Sequence, residues 1–213
     1  ICKGLERNGG VCMRRFEYGR IQSLSWDMDM LSLIAGIYRA NGKEEVLLSQ
    51  SPAVLESLVE LAKVQSTEAS NAIEGIVTTS TRLRQLVADK TTPRNRDEQE
   101  IMGYRDALNI IHDSYDSITL SRNHILQLHK ILYQYQFNAR GGQLKSVQNY
   151  ISATYPDGRT EVLFTPLAPY ETAEALDQIC TEYNRVVGNG EVEPLLAIPI
   201  FIHDFLCIHP FND

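Results

Sequence analysis

Five histidines are the first places to look for proton transfer or metal ligation in this chain. His124 and His129 stand five apart and His203 and His209 six apart. Neither spacing puts two imidazoles on one helix face around a metal, which needs i, i+4. His112 and His124 read as surface groups. His129 and His203 have apolar neighbours and read as core histidines with satisfied nitrogens. His209 is different, because it closes the apolar run Pro194–Ile208 and Pro210 follows at once. Pro210 bars residue 209 from the helical region. A rod expected to be almost wholly buried would then present an imidazole at the mouth of a loop. Such a group suits general-base work near neutral pH. It equally suits the negative end of a helix dipole with no chemistry at all. Spacing alone leaves both readings open.

A carboxylate has a similarly double meaning. Glu74 ends a helical segment just before Gly75. There it opposes the helix dipole by about 0.3–1 kcal/mol, as a tolerated surface residue or as one placed for a purpose. Ser70 lies one turn back on the same face, where it can orient the carboxylate. The four cysteines, Cys2, Cys12, Cys180 and Cys207, contain no C-x-x-C pair, which speaks against a zinc site and a disulfide scaffold. Cys207 reads as a small buried apolar side chain rather than a nucleophile.

The elements that must position these residues are mostly helices. Of 213 residues, 43% are hydrophobic and 22% charged, enough to bury a core without staples. Residues 1–24 read as irregular, with Gly9-Gly10 and Arg14-Arg15. Ser25 is a cap for a helix from Trp26, stopped by Asn41-Gly42. Ser51-Pro52 starts the next, with Val54, Leu55, Leu58, Leu61 and Ala62 as its apolar stripe and Gly75 as its stop. A short helix is expected at 81–88. Asn95-x-x-Glu98 opens a helix carrying Ile101, Tyr104, Leu108 and Ile111 on one face. Ser121 caps another, and residues 170–187 form one more before the apolar run. The basic cluster Arg82, Arg84, Lys90, Arg94 and Arg96 reads as a solvated surface. The one interruption is Tyr150–Phe164, rich in β-branched and aromatic residues and broken by Asp157-Gly158, a hairpin signal. It is either a decorative loop or an arm that pairs with an extended segment of another protein.

Charge bounds the partners. Twenty basic and 27 acidic residues give 20 − 27 = −7, against nucleic acid or an anionic membrane as main partner. The apolar run 195–202 is too short to span a bilayer. No stretch reads as a signal peptide, so the expected setting is a reducing cytoplasm.

Three segments, in order, carry a resemblance. His209-Pro210-Phe211-Asn212-Asp213 resembles the first five positions of the Fic family signature, H-P-F-x-[DE]-G-N-[GK]-R. Ser70-Asn71-Ala72-Ile73-Glu74-Gly75 fits the family's inhibitory motif, [ST]-x-x-x-E-[GN], placed N-terminal to the core. The hairpin lies where the family has its target-docking flap. The likeness covers about residues 50–213. It implies a mainly α Fic-fold helical bundle with one β-hairpin flap: an N-terminal helical region (1–95) with its inhibitory helix at about 51–75, then a core (96–213). The implied activity is AMP transfer from ATP onto a Ser, Thr or Tyr hydroxyl of a protein. His209 would be the general base, Asp213 would hold Mg²⁺, and Phe211 would anchor the loop. Glu74, His209, Phe211, Asn212 and Asp213 would line the nucleotide. Glu74, with Ser70 and Gly75, would keep the enzyme autoinhibited by occupying the place of the γ-phosphate. The hairpin 150–164 would dock the target, and self-association is compatible with the pattern. The rest of the signature would follow Asp213, so residues 1–213 alone are expected to be inactive. Alternatives are another nucleotide donor, AMP removal, and a non-catalytic binding module. The flap approach, Gly142-Gln143-Leu144-Lys145, lacks the Arg frequent there in the family, and Pro199 inside the last helix is expected to bend it.

Overall fold

The computed structural model describes residues 16–137 and 141–212. Gly9-Gly10, Arg14-Arg15, Cys2, Cys12 and Asp213 lie outside the described residues. Among the described residues, seven α-helices and one two-stranded antiparallel sheet make the chain mainly α. Two compact units divide it: Ser25–Gln143, and Leu144–Asp213 together with Ile1–Leu24.

The unit Ser25–Gln143 holds five helices: α1 (Met28–Gln50), α2 (Pro52–Ile73), α3 (Ser80–Val87), α4 (Arg96–Ser114) and α5 (Arg122–Leu132). The expected domain boundary near residue 95 falls within it. Caps explain several boundaries. The Thr79 side chain accepts from Arg82 N–H, Asn95 from Glu98 N–H, and Ser121 from His124 N–H, each satisfying a donor the first turn leaves orphaned. At α1 the cap is Asp27, whose Oδ1 accepts from Met30 N–H at 2.8 Å, not Ser25 as expected. The same helix runs on through Asn41-Gly42 to Gln50. One interior glycine costs only about 1 kcal/mol, too little to stop it.

This unit's core is Leu83, Leu86, Ile101 and Met102, with Val64, Ile76 and Tyr135 packed against it. Two expectations fail around it. Val54, Leu58 and Leu61 are about half exposed, because α2 packs on α3 and α4 through its later residues, such as Val64, Thr67 and Asn71. Arg82 is buried, not solvated. Its guanidinium makes a two-pronged pair with Glu98 at 2.8 Å to each oxygen and also reaches Thr91 and the Thr92 carbonyl. Such pairing is what a buried charge requires. Gly103 is the crossing point of α4 and α5: a Cβ there would lie 1.9 Å from the Leu132 carbonyl oxygen.

The second unit holds a 3-10 helix (Tyr18–Ser23), the strands β1 (Ile151–Thr154) and β2 (Thr160–Phe164), α6 (Pro169–Gly188) and α7 (Pro194–Ile208). The 3-10 helix falls in the stretch expected to be irregular. Tyr18 and Ile21 are buried with Leu176, Ile179, Val186, Ala197 and Ile208, where α6, α7 and the 3-10 helix meet. The hairpin forms around Asp157-Gly158, as its signal requires. Gly158 has φ +82°, and Asp157 Oδ1 accepts from Arg159 N–H at 3.0 Å. Thr154 pairs with Thr160 and Ser152 with Val162, with a register shift at Ile151/Ser152. Val162 and Leu163 are more than half exposed. No helix among the described residues is long and apolar enough to cross a membrane.

Candidate active site

α7 begins with Pro194 at its first position, and the Glu193 carboxylate accepts from Leu195 N–H. It carries Pro199 without breaking and ends at His209, whose N–H still donates to the Phe205 carbonyl at 2.9 Å. There the backbone turns left-handed, with φ 47° and ψ 71°. For an L-residue that conformation costs roughly 1–2 kcal/mol, and Pro210 forces residue 209 out of the helix. Strain of this kind persists only where its surroundings hold it in place.

The surroundings are specific. Phe211 is buried against Phe205, with ring centroids 6.3 Å apart, and Phe205 stacks on Phe201, which meets Tyr183 edge-on. This aromatic ladder anchors the turn to α7 and α6. On its other side runs the segment before β1. Lys145 N–H donates to the Pro210 carbonyl at 2.8 Å, and Lys145 Nζ to the Ile208 carbonyl at 2.8 Å. Asn149 Nδ2 donates to the Phe211 carbonyl at 3.0 Å. His209 itself stays half-buried.

α7 is not wholly buried. Ile198, Ile202 and Leu206, spaced four apart, are 41%, 50% and 57% exposed, and the His203 side chain is 53% exposed. α6 and the 3-10 helix cover one side of the rod, so an apolar composition all round does not produce burial all round. His203 is therefore no core histidine. It lies beside Cys207 Sγ (3.8 Å) and Asp204 (3.5 Å). Cys207 is buried, as expected. His129 is buried and accepts from Gly142 N–H through Nδ1 at 2.8 Å.

In the other unit, Glu74 is the exposed C-cap of α2, and Gly75 follows with φ +76°. Gly75 N–H donates to the Ala72 carbonyl and Ile76 N–H to the Asn71 carbonyl, closing the helix as a left-handed glycine does. Ser70 does something other than expected. Its Oγ accepts from Tyr104 OH at 2.9 Å, so it fastens α2 to α4.

The segment that ends in the His-Pro-Phe turn can be compared with known proteins. Residues 119–213 match the Fic/DOC family model. Among solved structures, a Fic domain containing signaling protein from Bacteroides thetaiotaomicron VPI-5482 is similar at 22% identity and a TM-score of 0.70, over 83% of this chain. A Fic family protein from Desulfovibrio desulfuricans G20 is similar at 19% identity and a TM-score of 0.65, over 89% of this chain. The chain spans 66% and 54% of the lengths of those two. No curated protein matches it. The fold is thus that of the Fic structures, mainly helical with a small antiparallel pair.

The Fic/DOC segment takes in α5, the hairpin, α6, α7 and the His209 turn. His209, Phe211 and Asn212 fall within that one turn, with Asn212 exposed. Among the described residues no group of three or more His, Cys, Asp or Glu side chains is placed to hold a metal. Lys145 and Asn149 are the site residues that sequence reading missed. Their partners lie 62–63 positions away and are carbonyls, which leave no trace in residue type.

Proposed function

We propose that the chain is the base-bearing part of a protein adenylyltransferase. His209 is its general base and Glu74 its inhibitory group. A target hydroxyl, laid beside the hairpin, gives its proton to the His209 imidazole as its oxygen attacks the α-phosphorus of ATP. The new O–P bond forms, the bond from the α-phosphorus to the bridging oxygen breaks, and pyrophosphate leaves. Little else is asked of the protein in such a transfer than positioning and charge stabilisation. Phe211 keeps the turn seated, and the open edges of β1 and β2 suit strand addition by an extended target segment. By the motif, Asp213 would give the one carboxylate to a Mg²⁺ held largely by phosphate oxygens. When bound, that ion would offset negative charge on the phosphates.

The observation that carries the reading is the left-handed His209 at the end of α7, inside the segment that matches the Fic/DOC family. Glu74 supports the regulatory half. It is exposed at a helix end whose dipole disfavours it, within a fitting S-x-x-x-E-G motif. The test is to incubate the full-length Glu74→Gly protein with ATP labelled at the α- or the γ-phosphate, alone and with lysate. Label retained on protein from α-labelled ATP alone is the expected result, and it vanishes in His209→Ala. Mass spectrometry after incubation with each nucleotide identifies the donor. Retention of γ-label, or labelling that survives His209→Ala, overturns the assignment.

A further inference from the structure

Lys145 is 3% exposed, an unusual place for an ammonium. Burial pushes its pKa down to about 8, so at neutral pH it remains mostly charged. An ammonium has three donors and no acceptor. Here it gives one to the Ile208 carbonyl at 2.8 Å and one to Asn149 Oδ1 at 3.1 Å. Ile208 is the last residue of α7, and the carbonyls at a helix C-terminus hold partial negative charge with no intrahelical partner. The Asn149 amide is fixed by the same arrangement. Its oxygen accepts from Lys145, which leaves its Nδ2 to donate to the Phe211 carbonyl at 3.0 Å. The Lys145 main-chain N–H takes the Pro210 carbonyl at 2.8 Å. Carbonyls on both sides of His209, those of Ile208, Pro210 and Phe211, are thus held by two residues of one short segment. This segment leads directly into β1.

We propose that Lys145 is a positioning residue which, through Asn149, clamps the turn around His209 and sets where the imidazole stands. Its place in a reaction rests on the function proposed above; the clamp itself does not. It also couples the base to the hairpin, since only Tyr150 separates Asn149 from Ile151, the first residue of β1. A cation is needed because two acceptors must be held in a dry site at once. A side chain of similar length with no donors would leave the Ile208 carbonyl and the Asn149 amide without their partner.

The test uses full-length protein. Lys145→Met keeps the stem and removes the donors. Asn149→Leu removes the hold on Phe211 and one acceptor of Lys145 but leaves the Lys145 bond to Ile208, and serves if Lys145→Met does not fold. Lys145→Arg restores donors. In the folded Lys145→Met or Asn149→Leu protein we expect the His209 ring resonances to move. Deuterium uptake across 205–211 should rise about tenfold while α6 is unchanged, the size expected when a buried bond is withdrawn. Lys145→Arg should return both readouts toward wild type. If wild type transfers nucleotide, Lys145→Met should lower kcat about tenfold and leave nucleotide KM within about twofold. Unmoved ring resonances and unchanged exchange in the folded variants overturn the clamp. A Glu74→Gly protein that transfers nothing overturns the proposed activity and leaves the clamp to be judged on those two readouts.

Discussion

The hydroxyl of Tyr104 donates to Oγ of Ser70 across 2.9 Å, one helical turn before Glu74. Ser66 Oγ lies 3.4 Å from the same hydroxyl. α4 therefore grips the end of α2 that carries the proposed inhibitory carboxylate. Tyr104→Phe keeps the ring and deletes the grip. It should lower unfolding free energy by about 1 kcal/mol, read from a denaturant melt. In the full-length protein it should also raise self-labelling from ATP partway toward the Glu74 variant. An unchanged melt would mean that the bond contributes nothing.

Glu74→Gly removes the carboxylate and puts the most permissive residue beside Gly75. Because Glu74 is exposed, the folded fraction should hardly change. Self-modification with ATP and Mg²⁺ should rise well above wild type, measured as label incorporated per protein. Equal labelling of the two proteins removes the inhibitory role. His209→Ala added to Glu74→Gly should silence it again.

The pair Arg82–Glu98 gives a pH dependence. Two hydrogen bonds from Arg82 pull the Glu98 carboxyl from 4.5 down to about 2. Its folded value lies below its unfolded one, so the unfolded chain binds the proton more readily. The pair's contribution is whole above about pH 4.5 and is lost as pH falls from there toward 2. Glu98→Gln should be less stable at pH 7 and show a shallower fall of melting temperature below pH 4.5. Parallel acid limbs for the two proteins would contradict the pairing.

The sequence made some of this legible and hid the rest for identifiable reasons. Local rules worked where the physics is local. Asn95 and Ser121 cap as their spacing requires, Asp157-Gly158 turns the hairpin, and Gly75 ends α2. The His-Pro-Phe turn was legible because Pro210 acts on its own neighbour. What failed depended on partners far along the chain. Arg82 looked like one of a solvated basic group until Glu98 was seen against it. Ile198, Ile202 and Leu206 looked buried because composition does not say how many sides of a helix are covered. Lys145 and Asn149 gave no sign of a role, because the carbonyls they hold stand 62–63 positions along the chain.

Gly103 tests the packing of the unit Ser25–Gln143. A methyl group at residue 103 would overlap the Leu132 backbone, 1.9 Å from its oxygen and 2.6 Å from its carbonyl carbon. Backbone cannot step aside as a flexible side chain does, so α4 and α5 would have to separate. Gly103→Ala should cost about 3 kcal/mol or more despite its better helix propensity. Chemical denaturation measures it. A neutral or stabilising outcome would show that the helices do not cross this closely.

The backbone at His209 allows chemistry and stability to be read apart. Both His209→Ala and His209→Gly remove the imidazole, so both should lose transfer. They differ at φ 47°: alanine retains the clash of its Cβ with the following carbonyl, and glycine has none. If the aromatic ladder through Phe211 and the hold on the Pro210 carbonyl keep the turn left-handed whatever residue stands there, His209→Gly should be the more stable by about 1 kcal/mol. Equal melts would mean that the turn relaxes once the ring is gone, and that the imidazole itself holds the strained backbone. A gap in glycine's favour would place that role in the surrounding contacts, which is the condition for a base held still in front of its substrate.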